Sequence, residues 1–355
     1  MTEQSWLRRH WKLVLNLVTG LALVIVIIVT RHQLEQTLKS LGHVHGWALL
    51  LIIPIELLNY HAQARLYQRL FAIVGNKLPY KFLFRASLEL NFVNHVFPSG
   101  GVTGLSYFTL RLKDGKQVTG GKATLIHVLK IMLYVLSFEL VMLIGVICLT
   151  IKSRVNNFII LVAGSLMTLL LVGTLGFAFL IGSRRRINAF FTALTRALNR
   201  LILMVRPRHP ETINIEKAHK MFNDFHDSYQ EIRHSKSQLK APFWYGLLAN
   251  LTEVAALYVV YIAFGKLVNV GAVILAYAIA NFAGLISVLP GGVGIYEGLM
   301  TAVLAATGIS PAVSLPVTVM YRVLNTLVQI PPGYYLYQRA LARGEGPPIS
   351  KVEAS

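Results

Sequence analysis

Cysteine is all but missing from this chain of 355 residues. The single Cys148 lies in an apolar run, so no intramolecular disulfide can form. Metal-ligand patterns are missing as well. His43, His45, His61, His95 and His127 are scattered, without an HExxH or comparable pair, and no metal or cofactor is expected. Ser99 and Ser106 have no neighbouring base in a triad arrangement, so no catalytic residue is assigned and the chain reads as a non-enzyme. The glycine-rich stretches lack the GxxxxGK(S/T) and GxGxxG spacings of nucleotide loops, and none follows a strand. Charge is sparse and one-sided: 34 Lys and Arg stand against 15 Asp and Glu, a net +19. Such a balance could suggest nucleic acid. Basic loops facing a cytoplasm and an anionic leaflet explain it better, and no nucleic-acid partner is expected.

What is abundant is apolar sequence. Hydrophobic residues make up 55% of the chain and the mean hydropathy is +0.57. Apolar runs of membrane-spanning length recur, which predicts an all-α polytopic membrane protein. Full spans read as 13–30, 47–64, 123–150, 156–182, 242–264 and 312–337. The first, preceded by Arg8, Arg9 and Lys12, is long for a signal peptide and no small-residue cleavage site follows it, so it reads as a transmembrane helix.

Two further apolar regions, 82–110 and 270–308, are interrupted by Phe97-Pro98-Ser99-Gly100-Gly101-Val102-Thr103-Gly104 and by Leu289-Pro290-Gly291-Gly292-Val293-Gly294-Ile295-Tyr296-Glu297. Proline removes a backbone donor and glycine weakens helix, so neither stretch continues as helix. In lipid an unpaired backbone group costs several kcal/mol, so a break survives only against protein or a water-filled cavity. Each region reads as a re-entrant hairpin, the alternative being a pair of ordinary helices with a surface turn. Paired breaks of this kind point to a transporter-type site.

With a cytoplasmic N-terminus, the cytoplasmic segments would carry 26 Lys and Arg against 5 on the other side, a strong positive-inside imbalance. This orientation implies a bacterial-type inner membrane protein with both termini cytoplasmic. The chain divides into a first membrane half at 1–182 (the second half starting from 156), a basic cytoplasmic segment at 183–241, the remainder of the second half at 242–338, and a tail at 339–355. Three full spans and one hairpin per half make the second half inverted relative to the first. A residue match supports this: Pro98 precedes Lys130, and Pro290 precedes Arg322, by the same interval. Glu56 and Glu253 precede their prolines at roughly similar distances. The 184–240 segment reads as one or two amphipathic basic helices that lie on anionic lipid, meet a partner enzyme, or merely connect the halves.

Charge inside a bilayer is costly, so Glu56, Glu89, Glu139, Glu253, Glu297, Arg85, Lys130 and Arg322 are the candidates for chemistry. Lys130 and Arg322, at matching places, are the expected anion contacts. Glu297 closes the second break and is assigned a cationic headgroup, a proton or the hairpin itself. Glu253 and Glu56 would balance charge, and Arg85 and Glu89, four apart, should pair with each other. Pro98, Gly100, Gly101, Pro290, Gly291, Gly292 and Gly294 would offer backbone N–H groups to an anion, or would only let the hairpin tips pack tightly. His95, near the first tip, suits packing or capping better than catalysis.

The two broken stretches, with Phe92-Val93-Asn94-His95-Val96 leading into the first, resemble the signature stretches of the lysylphosphatidylglycerol synthase transmembrane-region family. That family includes the flippase half of the multiple peptide resistance factor and stand-alone YbhN-like proteins. His95 stands where many relatives carry a second Asn, so no Asn–Asn role transfers. The resemblance implies a membrane protein that translocates or handles polar, anionic or aminoacylated lipids, with the hairpins around the lipid path. No aminoacyl-transferase or glycosyltransferase domain is expected after the last span. The second reading is a non-transporting subunit that docks a separate synthetase or glycosyltransferase through 184–240; an intramembrane transferase is a third, and a homo-oligomer stays open.

Overall fold

A computed structural model describes residues 44–97, 102–113, 118–152, 157–190, 235–286 and 293–343, with isolated positions from residue 21 onward and between 192 and 233. The expected first span at 13–30, most of the basic segment, the tail, and Pro98, Gly100, Gly101, Pro290, Gly291 and Gly292 lie outside these residues or are touched only at single positions.

Nine helices of at least 12 residues carry most of the described residues, with no strand among them; a short helical turn at Gly46–Leu49 precedes the first. They are α1 (Ile52–Ile73), α2 (Tyr80–Val96), α3 (Val102–Lys113), α4 (Gly120–Lys152), α5 (Asn157–Ile181), α6 (Lys240–Ala263), α7 (Val270–Ile286), α8 (Ile295–Ala306) and α9 (Pro311–Ala342). α4, α5, α6 and α9 are long and apolar enough to cross a membrane, which makes the chain an all-α polytopic membrane protein. α1 departs from the expected 47–64 span. It starts later, continues to Ile73, and carries Glu56, Asn59, His61, Gln63 and Arg65. Its pattern is inside-out: Glu56, Asn59 and Gln63 are buried while Ile53, Leu57 and Leu58 are exposed. Lipid tolerates the apolar face and the protein interior satisfies the polar one.

The helix lengths repeat. α1 to α4 contain 22, 17, 12 and 33 residues, and α6 to α9 contain 24, 17, 12 and 32. Gly75 and Gly265 leave the first helix of each set at φ 76° and φ 66°, the left-handed turn that glycine adopts without strain. The two sets run in opposite senses. His45 N donates to Ala263 O at 2.8 Å beside one end of α1, and farther along Asn59 Nδ2 donates to Ala249 O at 3.0 Å, so α1 and α6 are antiparallel neighbours. Equivalent helices lying antiparallel define an inverted repeat. α5 sits between the two units, with Leu161, Leu169, Val172 and Leu175 exposed on its outer face.

Two main core clusters are centred one on each unit, and the second also takes in Ile52 of α1, Leu149 of α4 and Ala163 of α5. One cluster joins Leu66, Leu70, Leu83, Phe108 and Leu125 from α1 to α4, and takes in Ile187, Phe225 and Ile232 from the connecting segment. The other joins Leu257, Val273, Met300 and Met320 from α6 to α9. The second and third helices of each unit form the hairpins. At about 26 Å and 18 Å for 17 and 12 residues, they fall short of a ~30 Å hydrocarbon core. α7 begins beside the far end of α4, where Asn269 Nδ2 donates to Cys148 O, and runs antiparallel to it past Phe138, which meets Tyr277 at 6.0 Å between ring centroids.

One expected pairing is corrected in the first hairpin. Glu89 does not pair with Arg85. Its carboxylate accepts from Arg111 Nε at 2.9 Å and from Tyr107 Oη at 2.8 Å, both on α3. A partner four residues away on one helix gains a few tenths of a kcal/mol, whereas a buried carboxylate left without donors costs several, so the cross-helix pair wins.

Candidate functional site

A polar cavity of about 500 Å³ lies between the hairpin helices α2 and α7 and the long helices α4 and α9. Its wall is built in pairs from the two units. Gln63 of α1 and Glu253 of α6 hold the same position counted from the ends of their helices; Asn91 and Asn281 are the twelfth residues of α2 and α7; Lys130 and Arg322 lie three turns into α4 and α9. His95, Tyr134, Tyr277, Tyr296 and Gln329 complete most of the surface. Gln63, not Glu56, is therefore the first-unit counterpart of Glu253. The rough match between Glu56 and Glu253 in the sequence does not survive the helix register.

A continuous hydrogen-bonded chain crosses the site. Gln63 Nε2 donates to Asn59 Oδ1 at 2.6 Å, and Asn59 Nδ2 donates to Glu253 Oε1 at 3.2 Å. Glu253 Oε2 accepts from Tyr321 Oη at 3.0 Å and Tyr277 Oη at 3.4 Å. Gln329 Nε2 then links Asn325 Oδ1 at 2.6 Å to Glu56 Oε2 at 3.1 Å. Glu56 lies behind the wall rather than on it, is 1% exposed, and leaves Oε1 without a partner among the described residues. Buried amides of this kind are satisfied as a network, because each unpaired group would cost about 1–3 kcal/mol.

The two cations differ. The Arg322 guanidinium pairs with the Glu297 carboxylate and stacks over Tyr296 at 4.9 Å. Glu297 also accepts from Gly294 N at 2.6 Å, closing the first turn of α8, and Gly294 has φ 88°. Glu297 thus ties the second hairpin to α9, which is the third of the roles considered for it. Gly294 supplies this turn and does not line the cavity. Lys130 is different: its ammonium lies over the rings of Tyr134 at 4.9 Å and Tyr67 at 5.9 Å, and among the described residues it has no hydrogen bond or ion pair. His95 donates Nδ1–H to Asn91 O at 2.9 Å, which leaves Nε2 for the cavity. The cavity thus offers one uncommitted cation, several amide and hydroxyl groups, and a carboxylate already held by three donors.

Reasoning from charge found Lys130, Arg322 and Glu253, and the structure brings these three to one cavity. It missed Gln63, Asn91, Asn281, Tyr134, Tyr277 and Gln329, which are uncharged. The signal that could have found them is their recurrence: positions 63 and 253, like 91 and 281, are separated by the same interval.

The profile of the family described as lysylphosphatidylglycerol synthase TM region matches residues 13–333. The chain belongs to this family. Two matches to membrane proteins of Methanothermobacter thermautotrophicus, each described as a UPF0104 membrane protein, agree with that placement. One is 31% identical over 75 residues, covering 21% of this chain and 22% of the relative. The other is 32% identical over 83 residues, covering 23% and 25%. The chain spans a quarter or less of the length of the curated relatives it matches. For this member of the lysylphosphatidylglycerol synthase TM region family, the membrane-embedded polar cavity is the feature on which a function must rest.

Proposed function

We propose that the protein is a lipid translocator of the bacterial-type inner membrane that moves anionic or aminoacylated headgroups through the cavity while the acyl chains stay in the bilayer. The uncommitted ammonium of Lys130 carries this reading. An unpaired cation at the middle of a membrane helix is expensive, and a phosphodiester is the partner that a bilayer supplies. The cavity volume falls in the range of small-ligand sites. Walls drawn in pairs from two inverted units suit alternating access, in which the units exchange roles around one site. No catalytic step is assigned; the protein acts by binding and moving, with both termini on the cytoplasmic side.

The test uses purified protein in liposomes with fluorescent phosphatidylglycerol, read by accessibility of the headgroup to an impermeant quencher. Wild-type protein should equilibrate the leaflets faster than empty vesicles do. A charged hydrogen bond contributes about 1.5–3 kcal/mol, so Lys130→Gln should slow the movement about tenfold or more. Equal rates for wild type and Lys130→Gln would overturn the assignment of Lys130. No movement by folded wild-type protein would favour the second reading, a subunit that docks a separate lipid-modifying enzyme.

A further inference from the structure

A second cavity, of about 230 Å³, lies between α4, α5 and α7, with Asn250 of α6 also on its wall. Val135 and Phe138 of α4, Leu170 of α5, and Ala278 and Phe282 of α7 make it apolar. Tyr134, Tyr277 and Asn281 line both this cavity and the polar one, so the two share a wall. α4 and α7 are pinned at one end, where a side chain on Gly271 would strike the carbonyl oxygen of Gly145 and come within 2.7 Å of Leu149 N. Seven residues away, about 10 Å along the helix, the apolar cavity opens between them. Its third wall, α5, turns an exposed aliphatic face outward at Leu169 and Val172.

The equivalent seam in the other half, between α9 and α2, is shut. A side chain on Gly333 would come within 2.6 Å of Phe92 Cβ and 2.7 Å of Leu88 O. Phe92 packs on Tyr334 at 5.6 Å and on Tyr337 at 5.3 Å, and Tyr107 packs on Tyr337 at 5.6 Å. One of two related seams is therefore open in this conformation.

We propose that the α4–α7 seam is a lateral door that seats the hydrocarbon chain of the lipid whose headgroup occupies the polar cavity. The proposal rests on the headgroup reading above. The occupant is fixed by continuity: one molecule lying across Tyr134, Tyr277 and Asn281 must be polar on one side and apolar on the other. The α2–α9 seam is the corresponding door of the opposite-facing conformation, closed here by the aromatic packing around Phe92.

The test uses full-length protein in liposomes with phosphatidylglycerol carrying a diazirine in mid-chain, and soluble glycerophosphoglycerol as a chain-free headgroup. Photolysis should label peptides holding Val135, Leu170 or Ala278. Val135→Trp and Leu170→Trp fill the apolar cavity from two different helices at partly buried positions. Each should cut this labelling, and long-chain translocation, about tenfold, while glycerophosphoglycerol binding changes less than about twofold. Wild-type labelling and transport in both variants, with headgroup binding intact, would overturn the door and leave the headgroup reading standing. Labelling concentrated near Phe92 and Tyr337 would overturn it too. Absence of glycerophosphoglycerol binding to wild-type protein would sink the headgroup reading, and the door with it.

Discussion

Lys130 and Arg322 occupy corresponding places in the two units yet meet different neighbours. Arg322 is held by Glu297, and Glu297 is in turn held by the turn it closes at Gly294. Removing one member of a shielded ion pair strands the other charge, at a cost of about 3 kcal/mol. Glu297→Ala should therefore lower the thermal midpoint of the detergent-solubilised protein by several degrees. Arg322→Leu in the same chain should restore much of the loss, leaving only the uncapped turn. Additive losses in the double variant, measured by thermal unfolding, would show that the pair is not coupled. On the proposed function, the same asymmetry assigns the headgroup to Lys130 and leaves Arg322 chiefly as a clamp on the second hairpin.

Among the helices, close approach rather than apolar bulk sets the packing. Lipid offers no hydrophobic drive between helices, so small residues at crossings decide how tightly they meet. Gly271 at the α4 crossing has backbone atoms, not flexible side chains, in the space a methyl group would take. Gly271→Ala should force the two helices apart and destabilise the fold by about 1–3 kcal/mol, read as a lower thermal midpoint, whereas Gly164→Ala on α5, which meets nothing within 4 Å, should leave it unchanged. The helices were largely legible in the chain because hydropathy and the Pro/Gly breaks mark them directly: the expected 123–150, 156–182 and 242–264 fall close to α4, α5 and α6. α1 was misplaced by several residues, since its buried polar face lowers its hydropathy where the helix is most protected. The cavity was legible only through its charges. Asn91, Asn281 and Gln329 look like ordinary polar residues until the fold turns them to one point. The pairing of Glu89 with Arg111 depends on a helix crossing that no local spacing encodes.

Over the whole molecule, the inverted arrangement has a simple topological test. Lys77 and Lys266 are both exposed in the short links that follow the first helix of each unit. In a Cys148→Ala background, Lys77→Cys and Lys266→Cys should react with a membrane-impermeant maleimide from opposite faces of sealed vesicles. Reaction of both from one face would contradict the inverted topology. Positive-inside charge predicts a cytoplasmic Lys77, and with that orientation intact cells should label Lys266→Cys and spare Lys77→Cys.

The paired walls of the polar cavity bear on ancestry. A unit of four helices that leaves half of a polar site unfinished describes the starting gene: a half-length protein inserted in both orientations and dimerising with itself. Duplication and fusion then released each copy from serving both orientations at once. Positions 63 and 253, identical in such an ancestor, are now Gln and Glu, and 130 and 322 are now Lys and Arg, while Asn91 and Asn281 still agree.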